Sequence, residues 1–322
     1  MIIAIPDDYH GVVPTLDCFA ALDGHDVRVF RDVAPTFDVT VSNLRDAQIV
    51  VPIRERTVFS RALIQALPRL KMISQTGRST HHVDVTACTE RGIAIVAGTH
   101  ASPYTVAEHT WALILAALRR IPEDAALMKR GEWRRSLSLG LHGRTLGVFG
   151  LGTIGSLVAA TGASFGMRVL VWGREGTRAA AHRAGYAVAD DQRALFRDSD
   201  VLSLNARLSR ETRGIVTADD LAAMKPDSLL VNTARAELVA AGALETALEL
   251  GRPGYAAVDV YENEPVMGGD HALLRLDNAL CTPHSAWLEK PTYELYFGEA
   301  FENAAAWANG QPVKLVNGNT GR

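Results

Sequence analysis

Residues 144–172 follow one order: an apolar strand pattern over 144–149, a glycine-rich turn, a helical stretch of small residues over 156–165, and a second apolar strand pattern over 167–172. The turn reads Gly150-Leu151-Gly152-Thr153-Ile154-Gly155. A lone G-x-G-x-x-G is a weak signal, but between a strand and a helix it is the signature of a dinucleotide-binding turn. Gly150 makes the tight bend, Gly152 lets the backbone approach a pyrophosphate, and Gly155 lets helix and strand pack closely. Thr153 and Ile154 open the helix, where free N–H groups and the helix dipole favour phosphate charge.

Length and composition narrow the rest. The chain has 322 residues, which on the usual size range suggests about two domains. Hydrophobic residues make up 48% and charged residues 21%, the balance of a globular protein in water. A net charge of −3 implies no strongly basic face, so no nucleic-acid partner is expected. The apolar stretches are too short or too interrupted to span a bilayer, so no membrane is expected either. Residues 1–6 form a strand-like run followed by Asp7-Asp8, without the basic start and apolar core of a signal peptide. Cys18, Cys88 and Cys281 have no metal or redox spacing, which fits a reduced cytoplasm. His81, His82 and Asp84 are close in sequence, but adjacent side chains diverge on a strand or helix, and no metal is expected.

Strand patterns recur at 2–5, 26–30, 47–51, 71–74 and 94–96, with a helix over 60–67 that stops before Pro68. They read as a parallel α/β sheet. Ser102 and Pro103 then open a long apolar helix to residue 118 that links two domains, with Ser102 as N-cap and Pro103 at the first helical position. Later strands fall at 201–204, 229–232, 256–260 and 279–281, and a last helix over 292–308 returns to the first domain. The expected fold is α/β, with two Rossmann-like or flavodoxin-like parallel-sheet domains and the active site in the cleft between them. The first domain spans 1–100 and is completed by 286–322; the dinucleotide-binding domain spans 101–285.

Three titratable or charged residues follow strands of the second domain. Arg235 follows Asn232-Thr233-Ala234, Glu264 lies shortly after Asp259-Val260-Tyr261, and His284 follows Thr282-Pro283. Each taken singly fits a surface charge or a packed turn. Behind one nucleotide turn, at one edge of a sheet, they make a reaction site. A guanidinium holds a carboxylate with two bonds, an imidazole exchanges a proton near neutral pH, and a carboxylate orients the imidazole.

With these motifs in this order, the chain resembles the D-isomer-specific 2-hydroxyacid dehydrogenase family along nearly its whole length. The match rests on the glycine turn, Asn232-Thr233-Ala234-Arg235, Asp259-Val260-Tyr261-Glu262-Asn263-Glu264-Pro265, Thr282-Pro283-His284, and Pro103-Tyr104-Thr105-Val106-Ala107-Glu108 at the interdomain helix. The resemblance implies hydride transfer between NAD(P)H and a small 2-oxo or 2-hydroxy acid. Arg235 would bind the carboxylate and polarise the carbonyl, His284 would move the proton, Glu264 would hydrogen-bond His284, and Asp259 would hold the nicotinamide amide. The Gln75-Thr76-Gly77-Arg78 segment matches the loop whose N–H groups receive the carboxylate. Ala206 and Ala234 fall among the cofactor-binding positions. A homodimer is implied through an arm at residues 120–140, where the run from Arg119 to Arg135 is charged and aromatic.

Departures bear on specificity. Ala236 stands where the family usually has Gly, Ser285-Ala286-Trp287 replaces a Gly-containing turn, and residues 204–208 lack a common His and Pro. After the second Rossmann strand an NAD-preferring chain carries Asp or Glu. Here Gly173 and Arg174 follow Trp172, and a positive group can accept a 2′-phosphate. The cofactor is NAD or NADP, with the lean toward NADP. Two other readings stay open: a same-fold dehydrogenase of a donor such as formate or phosphite, and a nucleotide-sensing, corepressor-like binding protein.

Overall fold

The structure is a computed structural model that describes residues 1–100, 102–133 and 137–318. It divides into two compact units, one of Met1–Ser102 with Leu288–Arg322 and one of Pro103–Trp287. Arg134 and Arg135 of the charged run lie outside the described residues.

Unit 1 holds a five-stranded sheet of β1 (Ile2–Ile5), β2 (Asp26–Val29), β3 (Ile49–Val50), β4 (Met72–Gln75) and β5 (Ala94–Ala97). The order is β2-β1-β3-β4-β5 and every pairing is parallel. Helices α1 (Phe37–Leu44), α2 (Arg61–Ala66) and α3 (Val85–Glu90) start at Thr36, Ser60 and Asp84, each of which accepts an N–H from the first turn. Such caps satisfy groups that the helix leaves unpaired.

Unit 2 begins with α4 (Tyr104–Arg119) and α5 (Ile121–Lys129). Its strands are β6 (Thr145–Phe149), β7 (Arg168–Trp172), β8 (Ala187–Val188), β9 (Val201–Leu204), β10 (Leu229–Asn232), β11 (Tyr255–Val258) and β12 (Ala279–Cys281). They form a parallel seven-stranded sheet in the order β12-β11-β10-β9-β6-β7-β8. Helices α6 (Thr153–Ser164), α7 (Glu175–Arg183), α8 (Gln192–Asp198), α9 (Ala218–Ala223) and α10 (Ala243–Glu249) supply the crossovers. β6, β9 and β10 are buried along their whole length, as central parallel strands covered on both faces must be.

The last helix, α11 (Lys290–Ala308), belongs to unit 1. Tyr293, Tyr296, Phe297, Ala300, Phe301 and Ala304 form its buried stripe, at the spacing of one helical face. Ser74 of β4 donates from Oγ to the Ala300 carbonyl at 2.7 Å. Glu299 accepts from the Thr99 N–H, the Thr99 hydroxyl and the His100 N–H, which ties the segment after β5 to this helix.

Local differences from expectation have simple causes. Several strands are shorter, because only their middle residues pair. β8 was not anticipated: two residues carry no readable alternation. α4 starts one residue later than expected. Pro103, not Ser102, occupies the N-cap, and no side chain caps the helix there.

Gly147 lies in the middle of β6 and is closely packed. A Cβ there would sit 2.0 Å from Ser199 Oγ and 2.7 Å from Leu202 Cδ1. Ser199 is itself buried and donates to the Leu195 carbonyl at 2.6 Å. Gly147→Ala is therefore expected to destabilise the fold by about 1–3 kcal/mol. Calorimetry should show a Tm lowered by roughly 2–12 °C; an unchanged Tm would mean that Ser199 turns away at no cost.

Candidate active site

The sheet of unit 2 reverses its strand order between β6 and β9. Ligands in open parallel sheets bind outside the carboxyl ends of the strands at such a switch point. The glycine turn stands there. Gly150 has φ +95 and donates its N–H to the Trp172 carbonyl at 2.8 Å. A Cβ on Gly150 would meet Asn205 and Ala206, at the end of β9, at 3.2 Å. A Cβ on Gly155 would lie 2.2 Å from the Gly150 carbonyl oxygen, so α6 reaches the turn only because Gly155 has none. Gly152 and Thr153 are exposed, Ile154 is half-buried, and nothing lies within 4 Å of a Cβ on Gly152.

Arg235 is placed by Asn232. The buried Asn232 side chain donates to the Arg235 carbonyl at 2.9 Å and accepts from the Ala234 N–H at 3.0 Å. This closes a turn directly after β10. The Arg235 guanidinium is half-buried and donates to the Ala234 carbonyl at 2.7 Å.

Glu264 and His284 come together from segments that follow β11 and β12. One oxygen of Glu264 accepts from the Tyr261 N–H at 2.9 Å, and the other meets His284 Nδ1 at 2.5 Å. The backbone thus aims the carboxylate and the carboxylate aims the ring. Nδ1 is occupied, which leaves Nε2 as the ring atom for chemistry. Both side chains are about a quarter to a third exposed, at 27% and 30% for His284 and Glu264. His284 has φ +49, an uncommon conformation for a residue with a side chain.

Asp259 is fully buried. Oδ1 accepts from the Thr282 hydroxyl at 2.5 Å and the Ser285 N–H at 2.9 Å, and Oδ2 accepts from the Ala286 N–H at 2.9 Å. Burial works against the carboxylate charge, but hydrogen bonds from His109, Thr282, Ser285 and Ala286 outweigh it and hold the carboxyl below the usual range. The carboxylate anchors the segment that carries His284.

Gly77 and Arg78 lie in unit 1, after β4. Gly77 is buried with φ +84, and a Cβ on it would stand 2.6 Å from Arg54 Nη1. Arg78 is exposed and donates from Nε to the Thr99 carbonyl at 2.5 Å. Of the residues close to one another in sequence, His81 bonds Ser79, His82 bonds Gln75, and Asp84 caps α3. At the end of β7, a Cβ on Gly173 would lie 2.8 Å from Thr177 Cγ2. Arg174, highly exposed, pairs with Glu211, and the Arg178 guanidinium lies 5.3 Å over the Trp172 ring.

Two polar residues of α4 escaped the sequence reading. His109 Nε2 lies 3.1 Å from Thr282 Oγ1 and 3.3 Å from Asp259 Oδ1. Thr110 Oγ1 lies 2.7 Å from Thr233 Oγ1. The available signal was the polar run Glu108-His109-Thr110 directly before the apolar stretch 111–118.

Comparison with known proteins places the chain in a family. Residues 111–286 match the family described as D-isomer specific 2-hydroxyacid dehydrogenase, NAD binding domain. A glyoxylate reductase of Aeropyrum pernix is 35% identical over 91% of this chain and 90% of its own. A D-3-phosphoglycerate dehydrogenase of Methanocaldococcus jannaschii is 38% identical over 77% of this chain, which spans 47% of that longer protein. The crystal structure of a phosphoglycerate oxidoreductase from Vibrio cholerae superposes with a TM-score of 0.93 at 47% identity, covering 96% of this chain and 99% of the other. The chain belongs to the D-isomer-specific 2-hydroxyacid dehydrogenase family, and unit 2 carries the family's NAD-binding domain.

Proposed function

We propose that this chain transfers a hydride between NAD(P)H and a small 2-oxo acid, giving a D-2-hydroxy acid. The observation that carries the reading is the 2.5 Å pair of Glu264 with His284, set in the same unit as Arg235 and the glycine turn. The turn fits a dinucleotide: Gly152 is open at the start of α6, where first-turn N–H groups have no helical partner. Gly150, Gly152, Thr153, Ile154, Gly155 and Ala206 are assigned to the cofactor at this end, and Ala234 beside Arg235. When bound, the nicotinamide supplies the hydride for the substrate's C2.

The chain's own residues supply the rest. Arg235 grips the substrate carboxylate with two N–H donors, and its charge draws electron density toward the carbonyl oxygen. As C2 gains the hydride, the carbonyl π pair moves to oxygen, which takes the proton from His284 Nε2. Solvent then returns a proton to the ring. Glu264 keeps the ring aimed throughout. The Gly77–Arg78 segment of unit 1 is assigned to receive the carboxylate through its N–H groups.

The same reading includes a homodimer. α5 buries no residue, its Ile121 and Met128 are exposed, and so are Trp133 and Leu137 later in the sequence. Exposed apolar side chains of that size, brought together on one surface, favour a covering partner. Three free thiols support a reducing compartment, the cytoplasm.

A panel of 2-oxo acids, with and without a second carboxylate or a phosphate, assayed separately with NADH and NADPH, tests the reading. Intact cofactor binding without turnover would support a nucleotide-sensing protein instead. With the best substrate, Arg235→Lys should lose at least about tenfold in kcat/KM, because a point charge cannot copy the two-bond grip. Near wild-type efficiency would remove Arg235 from the substrate site.

Cofactor preference is proposed to lie at Arg174, leaning toward NADP. Gly173 offers no carboxylate to the ribose, and the exposed ion pair with Glu211 is weak enough for a 2′-phosphate to displace. Arg174→Ala should lower the NADPH-to-NADH ratio of kcat/KM by about tenfold. Glu211→Gln, which releases Arg174, should raise it. A ratio that neither variant moves would show that this segment does not read the ribose.

A further inference from the structure

α4 touches both segments that carry chemistry in unit 2, and it does so through adjacent residues. Thr110 is fully buried and bonds Thr233, two residues before Arg235. His109 reaches Asp259 and Thr282, and Asp259 holds the N–H groups of Ser285 and Ala286. His284 lies between these anchored residues, in its left-handed conformation.

Hydrogen-bond bookkeeping gives the direction of each contact. An ionised Asp259 can only accept. The Thr282 hydroxyl spends its one proton on Asp259 Oδ1. The His109 contact must therefore donate, with Nε2–H shared between Asp259 Oδ1 and Thr282 Oγ1. A buried carboxylate needs every such donor, because burial without partners disfavours its charge. A residue in the left-handed region stays there only if its surroundings hold it. Three residues that flank His284, namely Thr282, Ser285 and Ala286, all bond Asp259.

We propose that His109 is a positioning residue of the reaction: it clamps Asp259 and Thr282, fixes the left-handed turn that aims His284, and with Thr110 sets the spacing between the Arg235 and His284 segments. The inference rests on the assignment of His284 as proton donor, so it is tested by a readout that does not need turnover as well as by one that does.

His109→Leu keeps bulk and removes the donor, whereas His109→Gln keeps a donor near the position of Nε2. Long-range ¹⁵N–¹H spectra of the full chain report the His284 ring, identified by its loss in His284→Ala. His109→Leu should shift or broaden that signal while NADH binding, followed by fluorescence, stays within about twofold; His109→Gln should restore it. On the best 2-oxo acid, His109→Leu should lose at least about tenfold in kcat with little change in KM, and His109→Gln should recover most of the loss. In a His284→Ala background, His109→Leu should cost no more, since residues that act as a unit are not additive. An unmoved His284 signal, equal defects in the Leu and Gln variants, or additive losses would each overturn the proposal. Absence of turnover in the wild type would overturn the proposed function but leave the spectroscopic result to stand or fall alone.

Discussion

A buried negative charge is costly, and in unit 2 the Asp259 carboxylate is stable only because four neighbours point donors at it. Those donors come from α4 and from the segment after β12, while the Asp259 N–H itself bonds the Asn232 carbonyl at the end of β10. One carboxylate therefore holds the carboxyl ends of several strands in fixed relation. The balance has a direction in pH. Its carboxyl is held below the usual range, so the stability it contributes is present above the unfolded value and is lost as pH falls through the lower folded value.

The glycine turn works by the opposite means, through what is missing. Gly155 allows α6 to press on the Gly150 carbonyl, and Gly152 leaves room outside the helix start. Tight packing on one side and open backbone on the other are both consequences of absent side chains. Together with the reversal of strand order at β6 and β9, this gives unit 2 one edge suited to a bound nucleotide.

Much of this was legible in the sequence, and the reasons separate cleanly. Periodicity locates β1, β9 and β10 to the residue, since central strands of a parallel sheet are continuous apolar runs, and it also finds the bounds of the edge strand β12. The glycine turn and the Arg235, Glu264 and His284 motifs were visible because each couples a residue type to a strand end. Asp259 was visible as a residue but not as an anchor: its partners include His109, which is distant in sequence, and no local pattern encodes that contact. Arg54 beside Gly77 and Glu211 beside Arg174 were hidden for the same reason. The start of α4 was displaced because Ser102 and Pro103 both suit the first turn, and the backbone alone decides between them.

The chain builds its middle before it can finish its beginning. Unit 2 is one uninterrupted stretch, Pro103–Trp287, whereas unit 1 is made of two pieces that flank it. Phe297 and Phe301, wholly buried in unit 1, arrive only with α11. During synthesis, then, the first sheet must wait with an apolar face uncovered while a whole nucleotide-binding unit emerges and folds. In this protein the order of translation and the order of completion are reversed, and the waiting amino-terminal sheet is the part most dependent on protection until the last helix appears.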